Sequence, residues 1–307
     1  MILPNTLSAC LRLLAALPLC AQAMEVDFSK GDQRLLPEDA VVLTSEPSPS
    51  LLLNAERRQV ETESIPVSPG EKLCLQIRAS VADDFVVERN DRAHSLTLTT
   101  PRQEFASTYE VLFYNQEGKL IPPPRQWEKQ PGGFFLTSEP YLYTSVFYAP
   151  ATAASLKVVF RPNRKNTHLY HFSLLPETSE GTVNPNPDFR YGELNYSGWA
   201  PQRAGQLYKR PDGKIVMVPG YGGLSPSFPV KAEQRYIATA RGDSGTLALQ
   251  YFDARGNQIL SRFLLRLDPE KEVVGEVIPP AGTARIVMCF HEDAIIHEVR
   301  IVEAPAK

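Results

Sequence analysis

The chain has 307 residues, with 32 Lys and Arg against 35 Asp and Glu and a formal net charge of -3. That balance excludes the basic domain or stripe of a nucleic-acid binder. The 27 Pro and 18 Gly stay far below the roughly 25–30% combined share that marks low complexity, and the length suits two domains of about 150 residues, each able to bury its own core.

Residues 1–23 read as a secretory signal. Leu13–Leu19 is an uninterrupted apolar run, and Ala21-Gln22-Ala23 is a small-x-small cleavage site. The run is too short to span a bilayer, which takes about 20 residues, and no later stretch reaches that length. The expectation is export to the periplasm or the extracellular space; the alternative is that Met24 is the true start. Leu17-Pro18-Leu19 ahead of Cys20 lacks the small residue of a lipid-attachment site. Processing removes Cys10 and Cys20. Cys74 and Cys289 remain, too few for a disulfide framework. They either bridge the two halves or pack as thiols.

The rest of the chain carries an internal duplication, the feature to seek before any motif. Pro66–Arg78 matches Pro229–Arg241, Val111–Gly118 matches Leu249–Gly256, and Pro150–Phe160 matches Pro280–Phe290. A weaker pair joins Leu169–Leu175 to Ile296–Val302. Leu73, Leu75 and Ile77 alternate, as do Tyr236, Ala238 and Ala240, the period of a half-buried strand. Asn115 and Asp253 each precede a Gly by three residues, which is turn chemistry. Pro150 and Pro280 stand just before strands, where a missing N–H costs nothing. Cys74 aligns with Ile237 and Cys289 with Val159, so hydrophobic packing is the preferred reading of both thiols.

Copy one is longer between its first and second blocks, by an insertion at about 80–107 that a surface loop or added hairpin accommodates. Residues 177–188, with Asn184-Pro185-Asn186-Pro187, are polar and Pro-rich like a linker. The expected organisation is therefore an all-β chain of two tandem antiparallel β-sandwiches: 24–176, a linker at 177–188, and 189–307.

The order of blocks resembles the jelly-roll β-sandwiches of the galactose-binding-like superfamily, especially carbohydrate-binding modules attached to secreted bacterial glycoside hydrolases. Val67-Ser68-Pro69-Gly70 carries the entry signature; Lys231-Ala232-Glu233 departs from it in copy two. The resemblance covers both halves and implies recognition of a glycan or cell-surface polysaccharide by exposed aromatic rings, on which a pyranose stacks its C–H face while polar groups read its hydroxyls. Trp127, Tyr141, Tyr143, Trp199 and Tyr208 are the implied contacts. Phe134 and Phe135 belong to the wider aromatic set, and Phe147 reads as core. The resemblance also leaves room for a structural calcium ion, with Asp39, Glu61, Glu63, Asp188, Glu193, Glu298 and Glu303 scattered at strand ends. None has the dense spacing of a calcium loop. No other cofactor is implied.

Other motifs carry little. His168 and His171, three apart on a strand, are expected on opposite faces. His291 and His297 lack zinc-protease spacing, and there is no nucleophile elbow, Walker loop or dinucleotide fingerprint. Arg241-Gly242-Asp243 reads as a hairpin turn. Paired carboxylates of a hydrolase meet only in three dimensions. Three functions stand in order: a secreted, non-catalytic glycan binder; a cell-envelope interaction protein docking a protein partner; and a hydrolase.

Overall fold

The computed structural model describes residues 23–45, 48–53, 56–82, 87–90, 95–98, 107–123, 130–162, 167–177, 181–191, 200–201, 206–209, 211, 214–218, 223–225, 227–290 and 294–305. All but the last residue of the expected signal segment 1–23, together with Trp127 and Trp199, lie outside them. Among the described residues the regular structure is strand, apart from two single 3-10 turns.

The first copy runs β1 (Met24–Asp27), β2 (Val41–Thr44), β3 (Ser50–Leu53), β4 (Val60–Glu61), β5 (Ile65–Pro66), β6 (Lys72–Val81) and β7 (Val87–Asn90). It continues with β8 (Ser95–Leu98), β9 (Ser107–Tyr114), β10 (Leu120–Ile121), β11 (Gly132–Phe135), β12 (Tyr141–Tyr148), β13 (Ser155–Arg161) and β14 (Thr167–Pro176). The second copy runs β15 (Ala200–Pro201), β16 (Gln206–Lys209), β17 (Ile215–Val218), β18 (Gly223–Leu224), β19 (Phe228–Pro229) and β20 (Tyr236–Ser244). It closes with β21 (Thr246–Phe252), β22 (Gln258–Arg266), β23 (Val273–Val277), β24 (Arg285–Phe290) and β25 (Ile295–Glu303).

Each copy is two antiparallel sheets. In the first, β12-β6-β14-β3-β2 with β1 faces β10-β9-β13-β4 with β5 and β11. The second sets β16-β17-β25-β20-β23 against β15-β18-β24-β21-β22 with β19. The predicted alternation decides what lies between them. Leu73, Leu75 and Ile77 meet Val111, Phe113, Val158 and Phe160 in one core. Tyr236, Ala238 and Ala240 meet Leu249, Tyr251, Ile286 and Met288 in the other. Burial of such side chains is worth about 1.5–3 kcal/mol each, and the stacked pair Tyr109–Phe135, with ring centroids 5.3 Å apart, adds aromatic geometry to the first.

The duplication holds down to hydrogen-bond register. Leu156 pairs with Ile65 and Phe113, and its counterpart Ile286 pairs with Phe228 and Tyr251. Leu174 pairs with Leu75 as Ile301 pairs with Ala238. The turns repeat as well. Asn115 Oδ1 accepts from the N–H groups of Glu117 and Lys119, and Asp253 Oδ1 from those of Arg255 and Asn257. Gly118 and Gly256 end both turns at positive φ.

Two expectations change and one is made specific. The insertion at 80–107 holds a hairpin, β7 with β8; the second copy replaces it with one residue between β20 and β21. That residue is Gly245, at φ +102°, where a Cβ would stand 2.3 Å from that of Ala294. It follows that Arg241-Gly242-Asp243 is not a turn: all three lie inside β20, because the turn is made further on by Gly245. The connection expected as a polar linker is packed from Thr182 to Phe189. Val183 N–H donates to Ile301 O and Val299 N–H to Pro187 O. Asn184 is fully buried, its Nδ2 donating to Val299 O and its Oδ1 accepting from Ile301 N–H, both at 2.7 Å. Its amide replaces a strand neighbour for β25, so a polar residue serves as core. Cys74 and Cys289 are separate buried thiols.

Candidate functional site

Of the five aromatic contacts implied by resemblance, the structure removes one. Tyr143 is fully buried, and its hydroxyl accepts from Leu136 N–H at 2.7 Å. Its Cβ faces inward because it pairs with Ile77, a core position. Tyr141, two residues earlier on the same face, is half-buried against that ring at 5.0 Å. Tyr208 sits on β16, its backbone opposite Val216 and the strand close to β8 of the first copy; its side chain is outside the described set, as are Trp127 and Trp199. From the wider set, Phe147 is core as expected, Phe135 is core too, and Phe134 on the edge strand β11 is exposed.

The residues that do converge lie on the outer face of the β12-β6-β14-β3 sheet. Strand β6 sends Leu73, Leu75, Ile77 and Ala79 inward, so Gln76, Arg78 and Ser80 point outward. On β14 the register slips between Leu169 and His171, leaving Tyr170 as an extra residue. Such a bulge redirects side chains. His168 opposes Ser80 and His171 opposes Arg78, so both histidines share the outer face with Tyr170 between them. This corrects the expectation that they face opposite ways, which holds only for an unbroken period of two.

These groups are tied together. Tyr170 hydroxyl and Ser80 Oγ bond at 3.0 Å, and both side chains are buried. The His168 ring stacks on that of Tyr170, with centroids 6.4 Å apart, and its Nδ1 is 3.0 Å from Ser50 Oγ. The Arg78 guanidinium lies over the Tyr170 ring at 5.9 Å, a cation–π arrangement. Burial pushes the His168 pKa below the usual imidazole value. Arg78 itself is exposed, as is Leu142 beside it on β12. The arrangement presents one cation, two imidazoles and an apolar flank on a stiff sheet.

The bulge recurs in the second copy. There the register slips between Arg241 and Gly242, and His297 is the extra residue. His297 Nε2 lies 3.0 Å from Asp243 Oδ1, in the place of the Tyr170–Ser80 bond. The sequence held the signal for this in its weakest repeat block, 169–175 against 296–302, but not the slip itself.

Five of the seven carboxylates singled out for calcium sit in ion pairs, and Glu193 lies outside the described residues. Asp39 is bound by Arg57, Glu298 by Arg300, and Glu61 by Lys157 at 3.1 Å. Asp188 is bound by Arg190 at 2.8 Å and Glu303 by Lys231 at 3.4 Å. Among the described residues no three His, Cys, Asp or Glu side chains come together as a metal site.

No family model and no curated protein matches the chain. Among solved structures it is similar to the tandem N-terminal CBM22-1–CBM22-2 domain of Paenibacillus barcinonensis Xyn10C. That match has 11% identity, covers 93% of this chain and 98% of the other, and has a TM-score of 0.36. It is also similar to the tandem CBM51 modules of a family 98 glycoside hydrolase from Streptococcus pneumoniae, at 12% identity, 92% and 93% coverage and a TM-score of 0.22. Allantoicase from Saccharomyces cerevisiae matches at 11% identity, 91% and 89% coverage and a TM-score of 0.26. At such TM-scores function has to be argued from the site itself.

Proposed function

We propose that the protein is an exported, non-catalytic binder of carbohydrate and that its first sandwich carries the binding face. The observation that supports this most is the bulge at Tyr170. It gathers two imidazoles and a guanidinium on one outer sheet face, above the buried Tyr170–Ser80 hydroxyl pair and beside an exposed Leu142. A saccharide needs that mixture: an apolar or aromatic surface for its C–H face and fixed polar groups for its hydroxyls. A sheet holds them without ordering cost at the moment of binding. Trp127, Trp199 and Tyr208 remain proposed contributors. Export rests on the expected signal segment 1–23; cleavage after Ala23, like a start at Met24, leaves β1 whole and paired to β14.

A protein partner is the second reading, and it has its own observation. The edge strand β22 leaves Ile259, Leu260 and Phe263 exposed, the last at 57%. An apolar sheet edge is a template for another chain.

A glycan array probed with the full mature chain separates the two. Binding to a defined set of glycans is expected, reduced at least about tenfold, one lost charged hydrogen bond, in Arg78→Gln; Trp127→Ala and Trp199→Ala test the remaining aromatics. No glycan bound, with capture of a protein that Phe263→Ser abolishes, transfers the function to the β22 edge.

A further inference from the structure

Register aligns the two copies up to Arg78 and Arg241, and the alignment exposes a difference in charge. Arg78 and Arg241 hold the same position, opposite His171 and Glu298 respectively. On the other side Arg78 is opposite Leu142, while Arg241 donates from Nε to Glu272 at 3.0 Å. Two residues along each strand stand Ser80 in the first copy, paired with His168, and Asp243 in the second, where a second register slip leaves it as an extra residue bonded to His297. The second copy therefore binds its arginine with Glu272 and places Glu298, itself held by Arg300, opposite it, while Asp243 pairs with His297. The first puts Leu142 and His171 in the places of Glu272 and Glu298.

Arg78 has no carboxylate partner among the described residues; its contact is the face of Tyr170. The next acid along the row, Asp27 beyond His171, is held by Lys30 at 2.9 Å and by Ser29. Glu25 reaches His171 at 4.0 Å and also attracts Lys30. An exposed guanidinium oriented by a ring beneath it keeps its planar donor fork turned to solvent, the form that takes a carboxylate or sulfate with two parallel bonds.

We propose that the row Leu142–Arg78–His171 is a subsite for the anionic group of an acidic saccharide, a uronate carboxylate or a sulfate ester. In the second copy Glu272 occupies the equivalent place from within. The inference rests on the glycan-binding reading and specifies its ligand class. It also makes the two copies unequal: only the first accepts an external anion at this position.

The test is calorimetric titration of the full chain with oligogalacturonate against its fully methyl-esterified form, and with dextran sulfate against dextran, inorganic sulfate serving as the free-ion control. The charged member of one pair is expected to bind at least about tenfold tighter than its neutral counterpart, the worth of a paired charged hydrogen bond, and to weaken as salt rises. Arg78→Gln removes the preference. Leu142→Glu, which transplants the acid found at Glu272, removes it too while leaving the thermal midpoint in place; Arg241→Gln leaves it intact. Equal affinity for charged and neutral forms, a preference that survives Arg78→Gln, or inorganic sulfate binding as tightly as the polymer overturns the proposal and leaves the glycan reading standing. Failure of every saccharide, neutral ones included, overturns both.

Discussion

His168 is half-buried with Ser50 on one ring nitrogen and Tyr170 stacked on its face, and burial holds its pKa down. The folded protein thus prefers the neutral ring. Above the ordinary value of about 6.5 both states are neutral and the stabilisation is complete. As pH falls through that value and on through the depressed folded pKa, the unfolded chain takes up the proton first and stability drops. Thermal midpoints measured from pH 7.5 to 5 are expected to fall, and the fall is expected to shrink in His168→Gln; identical slopes for both proteins contradict the assignment. Cys74 shows the same physics from the other side: burial, then the nearby Glu177, raise its thiol to about 12, so it packs and does not react. That much was legible from its aliphatic counterpart Ile237. Tyr143 was not, because an aromatic residue in a strand reads the same whether it faces core or solvent, and only the pairing with Ile77 decides.

At the scale of elements, period-two patterns located β6, β9, β13 and their partners, and Asn115 and Asp253 marked their turns. The bulges on β14 and β25 left no trace in composition, since one extra residue keeps the same residue types and merely changes which face they meet. That single slip hid the candidate site. The connection at 177–188 misled for a related reason: Asn184 is polar by type yet hydrogen-bonded on both sides of its amide inside the second core. Its replacement orphans a carbonyl and an N–H on β25. Asn184→Ala is expected to cost about 2–4 kcal/mol, one to two buried unsatisfied groups, read as a lower denaturant midpoint; a loss under about 0.5 kcal/mol, the range of a surface change, shows that water replaces the amide.

For the whole molecule, the two sandwiches meet through Tyr148. Its ring packs with the second core and its hydroxyl donates to Val183 O at 2.6 Å, while Lys72 Nζ donates to Thr182 O at 3.1 Å. Burial raises the Tyr148 pKa, so the phenol stays protonated as this donor. The copies share register, turns and a bulge, yet differ in what surrounds the equivalent arginines, so duplication has given one scaffold with two electrostatic surfaces. Duplication was plain in the sequence because strands repeat their apolar spacing; the divergence was not, because it needs the register to say which residues are equivalent.

The central claim places ligand binding on the outer face of the first sandwich. Hydrogen–deuterium exchange of the full chain, with and without a saturating glycan from the array, tests it most directly. Slowed exchange centred on 76–80, 141–143 and 168–173 is the predicted result. Slowed exchange only in 241–244 and 295–299, or along β22, contradicts it.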